Sequence, residues 1–273
     1  MENLRELLTL MTAVKMGTAI AMVVLLSVLA ESAGPRFAGT LSGFPLGAAI
    51  SLFFMGHDIS PRFAAESALY TATGLIATQA FAYCYYRSSL MAMGLNKGLQ
   101  VLSASFGGLL GYFLAALLLV RLRVNLVVAV LLPVFFILLS SYLFRGVETV
   151  RIEKKAGMSP RALIFRSVFA ASSIVVITSV AGTIGPGWAG IFSAFPMTML
   201  PFVALIHLTH DPEHAHAVLK HTPRGLGSLV VFALAVSLSY PTLGIYVGTA
   251  VSYGFAAVYL VAAQLRPVPI PKG

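Results

Sequence analysis

The stretch Gly34-Pro35-Arg36-Phe37-Ala38-Gly39-Thr40-Leu41-Ser42-Gly43-Phe44-Pro45-Leu46 returns later in the same chain as Gly185-Pro186-Gly187-Trp188-Ala189-Gly190-Ile191-Phe192-Ser193-Ala194-Phe195-Pro196-Met197. Seven of the thirteen positions are identical at an offset of 151 residues. Without a gap, the same offset pairs Pro61 with Pro212, Ala64 with Ala215, Gly74 with Gly225, Leu75 with Leu226, Phe81 with Phe232 and Ala82 with Ala233. Apolar residues coincide by chance in an apolar chain. Shared proline and glycine landmarks across about fifty residues point instead to an internal duplication.

The composition says where such a duplicated chain resides. Of 273 residues, 58% are hydrophobic and 10% charged, whereas a soluble domain carries about 25% charged residues. An ordinary soluble domain is excluded. Apolar runs bounded by Gly, Pro or charge fall near 8–32, 40–56, 66–86, 98–120, 124–144, 163–183, 190–208, 225–239 and 243–264. The chain is therefore expected to be an all-α polytopic membrane protein of about nine transmembrane helices. The N-terminal run lacks a basic n-region and is too long for a signal h-region, so it is read as a retained first helix.

The net charge of +9 is read by the positive-inside rule, and no nucleic-acid partner is expected. Nine spans place thirteen Lys and Arg on the side of the C-terminus and five on the other, which puts the C-terminus in the cytoplasm. The basic stretch from Arg145 to Arg166 becomes a cytoplasmic loop and topology determinant. Cys84 is the single cysteine, which excludes a disulfide framework or a Cys-based metal site.

The expected organisation is a first four-helix repeat (1–121), a linker helix with the basic cytoplasmic loop (122–162) and a second four-helix repeat (163–273). The second copy begins five spans after the first. An odd displacement inverts it, and inverted repeats are the mark of many secondary transporters.

The repeat unit enters its second helix through A-G-x-x-[ST]-x-F-P, seen at Ala38 to Pro45 and, with Ser193 at the second small polar position, at Ala189 to Pro196. In this it resembles the GlpM-like family of small bacterial inner-membrane proteins. The resemblance covers each half but not the linker, implies a multi-pass location in the bacterial cytoplasmic membrane and brings no established substrate. The helix arithmetic is similar to that of the drug/metabolite transporter superfamily.

Proline either starts a helix or kinks it. From Pro45 to His57 is thirteen residues, about 20 Å of helix, short of a hydrocarbon core of about 30 Å. A half-helix N-terminus in the membrane presents unpaired N–H groups and a positive dipole, suited to an anionic group. The candidate substrate-binding residues are Arg36, Ser42, Phe44, Pro45, Gln79, Ser193, Phe195 and Pro196. Gln79 is singled out because an amide in hydrocarbon requires several partners. The alternative is that Gly39, Ser42, Gly43, Gly190, Ser193 and Ala194 let helices pack closely. Lys15 is expected to snorkel to the interface.

Five of six histidines lie between His207 and His221. Imidazole and carboxylate suit zinc, nickel or cobalt, which makes His207, His210, Asp211 and His214 a candidate metal set. The alternative is an exposed polar loop titrating near neutrality. The chain lacks H-E-x-x-H, G-x-S-x-G and a Walker A loop, so no enzyme activity and no cofactor are expected.

The functional expectation is a secondary transporter moving a small anionic metabolite by alternating access, with that small molecule and membrane lipid as partners and a homo-oligomer allowed. Two alternatives stand beside it, a structural or accessory inner-membrane protein and a divalent-metal permease using the histidine-rich loop.

Overall fold

The computed structural model describes residues 10–22, 24, 45–148 and 160–265. Among them every regular element is helical: α1 (Leu10–Met22), α2 (Leu46–Asp58), α3 (Pro61–Met91), α4 (Lys97–Leu119), α5 (Leu126–Leu143), α6 (Pro160–Ser193), α7 (Met199–Thr209) and α8 (Pro212–Leu265). Local chemistry sets the boundaries. The side chains of Ser60, Asn96 and Asn125 accept from the backbone N–H of Phe63, Leu99 and Val128, satisfying one orphan donor at the start of α3, α4 and α5. Pro61 and Pro212 occupy first-turn positions of α3 and α8, where a missing N–H costs nothing.

Two helices are broken by left-handed glycines. Gly185 has φ 80° inside α6 and Gly244 has φ 73° inside α8, a region side-chain-bearing residues rarely enter. α6 is thus a long limb to residue 184 and a short limb over 186–193, and α8 reverses near Gly244.

Four segments are long and apolar enough to cross a membrane: Lys97–Leu119, Leu126–Leu143, Pro160–Ser193 and Gly225–Ala262. Their outer faces carry bare apolar side chains, with Phe106 70% and Leu118 68% exposed on α4 and Leu138 66% exposed on α5. A soluble protein rarely shows such patches; a lipid solvent accounts for them.

α3 forms the centre, packed against α2, α4, α5, α6 and α8. Its buried residues are mostly small, including Ala64, Ala68, Thr71, Ala72, Gly74 and Ala77, which lets backbones approach closely. Two apolar clusters flank it. One joins Leu52, Met55, Ile174, Phe232 and Tyr240; the other joins Phe81, Tyr112, Ile191, Leu200, Val203 and Leu219.

Candidate functional site

The second Phe-Pro segment separates two helical pieces. The 186–193 limb runs about 12 Å and α7 about 17 Å, and the chain between them turns at 194–198. Each piece alone is shorter than a hydrocarbon core of about 30 Å. The proline starts a new helix rather than kinking an old one: Leu200 N–H donates to Pro196 O at 2.8 Å.

Backbone groups freed at the break find partners on neighbouring helices. Tyr112 donates to Ile191 O at 2.8 Å and Thr78 donates to Ala194 O. Irregular backbone at membrane depth is tolerated under such conditions. The 186–193 limb presses against α3, where a Cβ added at Gly190 would lie 2.1 Å from Ser67 O. Ser193 turns back to Ala189 O at 2.9 Å, and Phe195 packs edge-on to Tyr112 with centroids 5.2 Å apart. Ser193, Phe195 and the buried Pro196 thus take part in the packing at the break.

What the break presents is the start of α7, and the start of α2 meets it. An ideal Cβ at Gly47 would sit 2.9 Å from the Met197 sulfur. Pro45 caps α2 and Thr198 caps α7, and neither N-terminus has a side-chain cap. Two half-helices thus meet near their positive ends.

Buried polar side chains on α3 and α6 lack full pairing. Gln79 follows Thr78 on α3 and is 3% exposed, and neither its amide nitrogen nor its oxygen has a hydrogen-bond partner among the described residues. Arg166, on α6, lies over the Phe202 ring at 4.7 Å, with its Nε buried and unpartnered. Helical side chains lean toward the N-terminus, so the Phe202 ring covers the first turn of α7 and brings the guanidinium beside it. Among the described residues no carboxylate pairs with Arg166. From α8, Thr222 contacts Met199 Sδ at 3.5 Å.

The histidines divide into two groups. His207, fully buried on the last turn of α7, has Nδ1 3.1 Å from the Tyr85 hydroxyl, and its Nε2 has no partner. His216, on α8, bonds Ser89 Oγ at 2.9 Å, stacks edge-on to Tyr86 and stands 6.4 Å from the His207 ring. Burial, aided by neighbouring His207 and opposed by Glu213, pushes the His216 imidazole down to about 4. Farther out, His210 and His214 have ring centroids 5.3 Å apart, and Lys97 reaches His210 O at 3.4 Å and Asp211 at 3.8 Å. The expected set His207, His210, Asp211 and His214 does not converge: among the described residues no three His, Cys, Asp or Glu are placed to hold a metal ion.

Lys15 is 7% exposed, pairs at 2.5 Å with the partly exposed Asp58 at the end of α2 and lies over the Phe54 ring. Asp58 also receives His57 Nδ1 at 3.0 Å. Arg36, Ser42 and Phe44 lie outside the described residues, and Pro45 stands at the junction as the N-cap of α2.

Sequence reasoning missed Arg166, Tyr85 and His216. The sequence reading ends the basic loop at Arg166, whereas α6 already runs from Pro160; the apolar residues on both sides of Arg166 are the available signal. Tyr85 and Ser89 carried no local signal, because only the packing of α3 on α7 and α8 gives them histidine partners. Comparison with known protein families, curated proteins and solved structures finds no match for this chain.

Proposed function

We propose that this chain is a secondary transporter of the bacterial inner membrane that moves a small anionic metabolite between two inverted repeats. The observation that carries the reading is the meeting of two uncapped half-helix starts at Gly47 and Met197, with the Arg166 guanidinium over the Phe202 ring in the first turn of α7, its Nε unpartnered, and a buried, unpaired amide at Gln79 on α3. Positive helix ends facing a midplane site are how discontinuous helices receive anionic groups. A cation beside a helix N-terminus is electrostatically adverse in an empty site, and a carboxylate or phosphate relieves both charges.

The repeat supports the same reading. The 151-residue offset that pairs Pro61 with Pro212 also carries the end of α2, Asp58, onto the end of α7, Thr209. On this proposal the chain has about nine spans, with 124–144 as the linker and the C-terminus in the cytoplasm.

The test is thermal stabilisation of the detergent-solubilised protein by a panel of small carboxylates and phosphate esters, because a bound ligand raises apparent stability by mass action. A stabilising anion whose effect disappears in Arg166→Gln, with the unliganded variant still folded, supports the transporter. The close packing of Gly190 on Ser67 favours a second reading, an accessory protein whose repeats only pack. That reading gains if no panel member shifts the wild type.

A further inference from the structure

The buried histidine His207 stands on the same rigid half-helix that presents the junction. From His207 to Met199 is eight residues of α7, about 12 Å, with no break between. Its ring is fully buried yet only half used: Nδ1 meets Tyr85 and Nε2 meets nothing among the described residues. A histidine retained only for packing would satisfy both nitrogens or be better replaced by an apolar ring. Its position at the C-terminal end of α7 favours a positive charge through the helix dipole. An imidazole that is costly when neutral and half-paired, and supported by the dipole when charged, is suited to two protonation states.

We infer that His207 is the proton-binding site that couples proton uptake to movement of α7, a role that rests on the transporter reading. With the Nδ1 hydrogen directed to the Tyr85 oxygen, Nε2 offers its lone pair. A proton from water at this end of the bundle adds there, converting imidazole to imidazolium, and returns to water when α7 moves; nothing is oxidised or reduced. Farther along the chain, His210 and His214 stand with ring centroids 5.3 Å apart, and the Nδ1 of His214 is buried and unpartnered. The titratable and charged groups facing His207 are Tyr85 from α3, Lys97 from α4, and His216 and Glu213 from α8. His216, with its Nε2 engaged by Ser89, stays neutral beside it.

The experiment is a titration of the 15N-histidine-labelled full chain in nanodiscs between about pH 4 and pH 8, the range over which imidazoles change charge. The His207 signals are assigned by their loss in His207→Gln. Emission of Trp188, the single tryptophan, is followed in parallel, since it packs on the cluster holding Leu200, Val203 and Ile206 of α7. The expected result is a His207 transition whose midpoint matches a Trp188 emission change, with that change lost in His207→Gln. Tyr85→Phe, which removes only a hydroxyl, shifts the common midpoint and serves if His207→Gln fails to fold. A His207 resonance that stays neutral throughout, or a Trp188 profile that the variants leave unchanged, overturns the proposal. The failures separate: anion stabilisation with a silent His207 removes the proton site alone, whereas a titrating His207 without any anion effect removes the transport reading.

Discussion

Gly47 and Met197, 150 positions apart in the chain, touch: a Cβ on the glycine would stand 2.9 Å from the methionine sulfur. The contact brings together the starts of α2 and α7, neither of which has a side-chain cap. Gly47→Leu is expected to force the two starts apart at a cost of about 1–3 kcal/mol and to abolish stabilisation by the best anion. Adding Met197→Ala returns part of the lost melting temperature, because it vacates the volume the leucine needs. A double variant no more stable than Gly47→Leu alone would show that the two residues are not coupled.

Gly190 is a stricter constraint, since the atom facing its missing Cβ is backbone, Ser67 O at 2.1 Å. Backbone cannot swing aside as a methionine tip does. Gly190→Ala is expected to lower the melting temperature more than Gly47→Ala does, and size-exclusion profiles of the two variants in detergent check the order.

Gln79 leaves both amide groups without partners at 3% exposure, a state that costs about 1–3 kcal/mol for each unsatisfied group. Gln79→Leu is therefore expected to hold or raise thermal stability while reducing anion affinity at least about tenfold, the equivalent of about 1.4 kcal/mol. A fall in stability together with intact anion binding would place the amide in the scaffold instead.

Lys15 is buried and pairs at 2.5 Å with Asp58, whose side chain is 27% exposed. Removing the carboxylate leaves a buried ammonium without its partner, whereas removing the ammonium leaves a carboxylate that water still reaches. Asp58→Leu is expected to destabilise, Lys15→Met less because Asp58 also keeps His57 at 3.0 Å, and the double variant to recover most of the loss. A double-variant cycle on melting temperature checks the coupling.

His216 sets a pH dependence with a definite sign. Its imidazole is held down to about 4 against an ordinary value of 6.5, so between those values the folded protein binds fewer protons than the unfolded chain. Stability is complete above the unfolded value and is lost as pH falls toward the folded one, at a limiting slope of about 1.4 kcal/mol per pH unit. Melting curves of the wild type and His216→Gln are expected to diverge in that window and run parallel above it.

The helical class was legible because it follows from local chemistry, whereas the first-turn prolines of α3 and α8 and the asparagine caps of α4 and α5 are features the structure adds. The break at Phe195-Pro196 was readable for the same reason, since a proline cannot continue a helix and the segment after it is too short to span. The candidate site was legible only in part. Pro45 stands at the start of α2, and Gln79 is buried without the partners its amide was expected to require, while Ser193 and Phe195 turn their polar and aromatic surfaces to Ala189 and Tyr112.

The sequence by itself determined that the chain is helical and apolar enough for a membrane and that Phe195-Pro196 interrupts a helix, because hydropathy and proline act within a few residues. The tertiary structure alone decided that Gly47 meets Met197, that Arg166 stands beside the first turn of α7, that Lys15 finds Asp58, and that His207 parts from His210 to join Tyr85. Those partners come from different helices, and their distances depend on how small residues along α3 let those helices close on one another, which no local pattern encodes.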